Sequence, residues 1–148
     1  MVVGVIVLLI AIATLLAWRN ARQGVTSKAN ALDTQQVALG MQTYAANCAR
    51  CHGENLEGQP NWRTELPTGG MPAPPHDESG HTWHHADDYL FNVTKNGGQP
   101  YSPTGYKNNM PALGAKLSDG QIWATLAFIK SRWSPKIQQA QIARQRSP

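Results

Sequence analysis

Cys48-Ala49-Arg50-Cys51-His52 sets two thiols either side of two residues, with an imidazole directly behind the second. Two thiols at this spacing can each add to one vinyl group of the same porphyrin. The adjacent histidine then lies under the metal and can donate a ring nitrogen. These are the only cysteines in the sequence. Structural zinc takes four ligands, and no second Cys-x-x-Cys completes a set from Cys48, Cys51 and His52. A thioredoxin-like redox pair needs a βαβ setting, whereas the flanks read as helix and loop. The motif therefore has the form of a c-type haem attachment site, with Cys48 and Cys51 as the covalent anchors and His52 as an iron ligand.

Upstream, Asp33 is a good N-cap with Gln36 at the capping-box position. Val37, Met41, Tyr44 and Cys48 recur at helical spacing, which predicts a helix running into the motif and ending near Gly53. Residues 53–84 are punctuated by Gly and Pro and read as a long loop. A loop of that length inside a compact domain fits one that wraps a cofactor edge. A middle helix follows. Asp87 and Asp88 lie in its first turn, Ala86, Leu90 and Val93 form its stripe, and Asn96-Gly97-Gly98 stops it. After a second loop over residues 98–116, Ser118 and Gln121 form a capping box. Ile122, Leu126, Ile129 and Trp133 give the last helix its stripe, and Pro135 closes it.

The ends differ in character. Val2–Trp18 contains no charged residue. Seventeen helical residues span roughly 25 Å, close to a ~30 Å hydrocarbon core once Arg19 and Arg22 snorkel. Residues 1–22 are expected to be a retained transmembrane anchor. A cleaved signal peptide fits less well, because the small-x-small pattern at Ala29-Asn30-Ala31 lies far from the apolar run. Residues 23–32 read as a linker, 33–135 as the haem domain and 136–148 as a flexible basic tail, with weak spacing of Ile137 and Ile142. The formal charge of +4 resides in these flanks. Residues 29–133 hold seven basic and nine acidic side chains. No basic patch sits among exposed aromatics, so nucleic-acid binding is not indicated. The positive-inside rule would put Arg19, Arg22 and Lys28 in the cytoplasm. Haem attachment, which takes place outside the bacterial inner membrane, puts them on the other side.

From about Asp33 to Pro135 the chain resembles the class I cytochrome c family. The resemblance rests on Gly40-x-x-x-Tyr44-x-x-x-Cys48, on Cys48-x-x-Cys51-His52, on Met110-Pro111 in the loop before the last helix, and on Leu126-Ala127-Phe128-Ile129-Lys130 within that helix. It implies an all-α cytochrome c fold, three main helices around one covalent haem c, here with an added N-terminal transmembrane helix. It implies a crossing of the first and last helices at Gly40 against Phe128. It also implies His52 and Met110 as the two axial iron ligands, a pairing whose soft thioether raises the potential. Met71-Pro72 also sits in a loop, but precedes the middle helix, out of the family's order. The Pro60 carbonyl is the expected acceptor for the Nδ1 proton of His52. Trp62, Arg63, Tyr101 and Tyr106 are candidate haem contacts. His76, His81, His84 and His85 lie within ten residues. They read as a polar loop ahead of a metal site or an alternative haem ligand.

These readings imply a single-electron carrier, not an enzyme, on the outer face of the bacterial inner membrane. Redox proteins and the membrane would be its partners, and no small-molecule substrate is expected. The alternatives are a haem subunit of a larger oxidase or reductase complex, and a haem-based ligand sensor, which would need a labile Met110 bond.

Overall fold

The computed structural model describes residues 29–144, and within them every regular element is helical. The expected anchor and most of the linker lie outside the described residues. Among the described residues, no helix is long and apolar enough to cross a membrane.

Helix α1 spans Thr34–Asn47. Asp33 caps it, its Oδ1 accepting from the backbone N–H groups of Gln35 and Gln36 at 3.0 Å each. The Gln36 side chain does not reach back to Asp33 as a capping box would; its Oε1 accepts from the Asn30 N–H at 2.7 Å. The chain bends at Cys48 and makes one further turn, α2, Ala49–His52. Gly53 ends it at φ +82°, a left-handed conformation that suits glycine.

Helix α3 spans Asp87–Asn96 and α4 spans Asp119–Ser131. The Ser118–Gln121 capping box forms as expected. Where α1 crosses α4, a Cβ added to Gly40 would lie 1.9 Å from the Ala124 carbonyl oxygen and 2.9 Å from Phe128 Cβ. The resemblance pointed to Phe128. The tightest approach is to the backbone of Ala124, with Phe128 beside it.

Two apolar clusters flank this crossing. Ala29, Trp123, Leu126 and Ala127 form one, with Val37, Leu90 and Phe91 packed against it. Phe91 and Trp123 stack at 4.4 Å. Tyr44, Leu56, Ile129 and Trp133 form the other, joined by Cys48, Trp83, Phe128 and Ile137. Cys48, at the head of the motif, therefore packs against the second cluster.

The C-terminal segment corrects the sequence reading. Residues 135–144 are a helix, α5, and not a free tail. Pro135 begins it; proline suits a first helical turn because its missing N–H would be unpaired there. Ile137 packs on the Trp133 cluster. Gln141 is fully buried. Its Nε2 donates to the Asp87 carboxylate at 2.8 Å and to the His85 carbonyl at 3.2 Å. Asp87 also accepts from Lys130 at 2.7 Å in an ion pair nearly closed to solvent. One buried carboxylate thus ties α3, α4 and α5 together. The segment's polar composition concealed this, because its anchor is a glutamine that meets a buried charge.

Removing one partner of a buried charged hydrogen bond costs about 1–3 kcal/mol. Gln141→Ala should destabilise the protein by about that amount. Urea unfolding should show an earlier midpoint with an unchanged slope.

Candidate haem site

Helix α1 delivers Cys48 to its C-terminal end, and the turn α2 places Cys51 and His52 beside it. Cys48 is half-buried, Cys51 is exposed, and both thiols are free. Burial, and then the neighbouring Cys51, push the Cys48 thiol up to about 11, against a smaller lowering by Lys116. Cys48 is therefore presented as a thiol, the form that adds across a vinyl group. The burial of Tyr44 holds its phenol protonated, and its hydroxyl donates to the Gly53 carbonyl at 2.8 Å. That bond closes the end of the motif onto α1.

His52 Nδ1 lies 2.8 Å from the Pro74 carbonyl oxygen. A carbonyl only accepts, so Nδ1 carries the proton and Nε2 keeps its lone pair. Burial lowers the pKa of His52, and the Pro74 bond opposes that in part. The result is a neutral imidazole with a fixed tautomer and one free donor nitrogen. The residues thus fit a haem: two thiols for the vinyl groups and an oriented nitrogen for the iron.

The acceptor is Pro74 and not Pro60. Pro60 is exposed, at the near end of an excursion. Gln59 and Ala73 pair across the base of that excursion. The Gln59 N–H donates to the Ala73 carbonyl at 2.9 Å, and the Ala73 N–H to Gln59 Oε1 at 2.8 Å. The pairing carries the chain away from the motif after Gln59 and returns it at Pro74. Proline spacing alone cannot show where such an excursion closes.

Met110 is half-buried. Its N–H donates to Asn108 Oδ1 at 3.0 Å, and its carbonyl accepts from the Gly98 N–H at 3.1 Å. The loop is pinned to the end of α3 by Leu113 N–H to Thr94 O at 3.1 Å and Gly114 N–H to Lys95 O at 2.9 Å. Met71 is also half-buried. Its neighbour Gly70 packs against Lys107 and Asn109, where an added Cβ would come within 2.7 Å of both. The loops bearing the two methionines therefore adjoin.

The candidate contact residues lie apart from Cys48–His52 in sequence and join a row of rings. Trp62 stacks on His81 at 5.8 Å, His81 meets His85 at 5.6 Å, His85 stacks on Tyr89 at 4.5 Å, and Tyr89 meets Tyr101 edge-on at 5.8 Å. Arg63 lies 4.0 Å above the Trp62 ring. Tyr101 accepts from Asn96 Nδ2 at 2.9 Å. Tyr106 is exposed, and its carbonyl accepts from Gln99. Burial lowers His81 and His85, with neighbouring histidines adding to the effect. Among the described residues no group of three or more His, Cys, Asp or Glu side chains is placed to hold a metal ion. Within the histidine-rich loop His84 lies 3.8 Å from Trp83, and His76 lies against His52 at 4.0 Å. Burial, and then His52 and His81, push His76 well below the ordinary histidine range. The sequence carried no signal for His76 beyond its membership of that loop.

Neither curated proteins nor solved structures yield a match. The family described as cytochrome c oxidase, cbb3-type, subunit III matches residues 35–129, from the second residue of α1 to near the end of α4. That span is well over half of the chain and includes the Cys-x-x-Cys-His motif, so the protein belongs to this family of mono-haem cytochrome c domains.

Proposed function

We propose that this protein carries single electrons through one covalent haem c held by Cys48, Cys51, His52 and Met110. A haem-based electron-transfer role follows from the family, and the neutral, tautomer-fixed His52 supports the site assignment. When bound, the haem supplies an iron centre that alternates between ferric and ferrous states. The protein's own contribution is to hold and shield that centre. Cys48 and Cys51 hold it from a turn packed on the Tyr44–Trp133 cluster. Pro74 orients His52 and makes it a stronger donor. Met110, on a loop tied to α3, offers a soft thioether that favours the reduced metal. With His52 and Met110 both holding the iron, no position would stay open for substrate, which favours electron transfer over catalysis and ligand sensing. We place the domain on the outer face of the bacterial inner membrane, on an anchor formed by residues 1–22. Haem attachment chemistry and the uncharged run Val2–Trp18 support that placement.

A second reading is favoured by the family match: service as a haem subunit within a larger membrane oxidase. Both readings share the same haem site and differ in the lifetime of the partner contact. A free carrier docks through a small surface that releases quickly, burying under ~1,200 Å².

Denatured protein should keep its haem through acid–acetone extraction and give a pyridine haemochrome of the two-thioether type. Freely extracted haem would overturn covalent attachment. Met110→Ala should open the distal position, lower the reduction potential and admit carbon monoxide, whereas Met71→Ala should leave the spectrum unchanged. The reverse result would assign ligation to Met71. Purification from membranes in mild detergent separates the two readings. A free carrier should elute alone, and co-elution of stoichiometric oxidase subunits would establish the second.

A further inference from the structure

We propose that His76 is a positioning residue for His52, holding the plane of the ligating imidazole and, through the ring face it lays on that imidazole, lowering the iron's potential. The proposal rests on His52 being an iron ligand. The two rings lie face to face, with centroids 4.0 Å apart and planes 21° from parallel. The Pro74 carbonyl meets one edge of His52, and His76 covers one face.

A positioning group must itself be fixed, and His76 is fixed at three points. Its backbone N–H donates to the Leu56 carbonyl at 2.7 Å. Its carbonyl accepts from Trp133 Nε1 at 2.8 Å. Its ring Nδ1 shares a hydrogen bond of 2.8 Å with Thr82 Oγ1. Thr82 is buried and opens the short 3-10 turn Thr82–His84, against which α5 packs. Leu56 and Trp133 belong to the cluster that also packs Cys48. The plane of His52 is thus set through His76 by the core and by the C-terminal helix.

The stack has an electronic consequence of definite sign. A histidine bound to ferric iron gives up more electron density than one bound to ferrous iron, so its ring is more positive in the oxidised state. The face of a neutral aromatic ring is negative and attracts positive charge. His76 therefore favours the ferric state and lowers the potential. Leucine offers bulk without that face, and phenylalanine keeps the face without the Thr82 bond.

The test uses the full-length holoprotein at fixed pH, with two readouts: the midpoint potential and the g-value anisotropy of the ferric low-spin signal, which reports the ligand plane. His76→Leu should raise the potential and change the anisotropy. His76→Phe should keep the potential near wild type. Thr82→Val, which frees the His76 ring, should change the anisotropy. Unchanged potential and anisotropy in His76→Leu would overturn the proposal, as would a His76→Phe potential that rises as far as that of His76→Leu. Should His76→Leu yield no holoprotein, Thr82→Val decides: an unchanged signal rejects the proposal. His52→Ala distinguishes the underlying reading. If it leaves the wild-type low-spin spectrum intact, His52 is not a ligand and the ligation assignment fails first.

Discussion

The structure hangs on one close contact, where the backbone of α1 at Gly40 meets the backbone of α4 at Ala124. Any side chain at residue 40 would begin inside the Ala124 carbonyl, so the helices approach as nearly as two backbones can. That approach brings Tyr44, one turn on, into the same cluster as Ile129 and Trp133. It thereby sets where α1 ends, and hence where Cys48, Cys51 and His52 stand. Overpacking a contact this tight costs about 1–3 kcal/mol, and the haem motif would move with the helix.

The surroundings of His52 follow from where the chain returns. The Gln59–Ala73 pairing closes an excursion whose far side touches the Met110 loop, through Lys107 Nζ to the Thr68 carbonyl at 2.7 Å. One excursion therefore reaches both His52 and the Met110 loop. Its returning segment supplies Pro74 to the edge of His52 and His76 to its face. Its outer part braces the loop before α4. The buried Asp87–Lys130 pair and Gln141 then hold α5 in place, and α5 supports the turn that carries Thr82.

Charge is unevenly distributed along the chain. The net positive charge that gives the chain its high isoelectric point lies before residue 29 and after residue 133, where six basic and no acidic residues stand, while the region between has a small acidic excess. Strong electrostatic steering by the domain itself is not what this pattern provides. Exposed Tyr89, Tyr101 and Tyr106 give the surface near the second loop an amphipathic character, in contrast with the polar basic end of α5.

Features whose chemistry is local were legible in the residues alone. Cys-x-x-Cys-His needs only adjacency. The Ser118–Gln121 cap needs only one helical turn. The stripe of α4 follows from a 3.6-residue period, and a missing side chain at Gly40 marks a crossing. Met41, expected on the buried stripe of α1, is instead exposed, and the buried face holds Gln36, Gly40, Thr43 and Tyr44. Tertiary structure decided the contacts that depend on where distant chain returns. Pro74 displaced Pro60 because the length of an excursion is invisible to residue spacing. Residues 135–144 became a packed helix because a buried glutamine found a carboxylate 54 positions away, a partner that hydropathy cannot reveal. His76 reads in sequence as one polar residue among four histidines. Only the folded chain lays its ring against His52, since a stacking contact is a property of two planes in space and leaves no periodic trace along the chain.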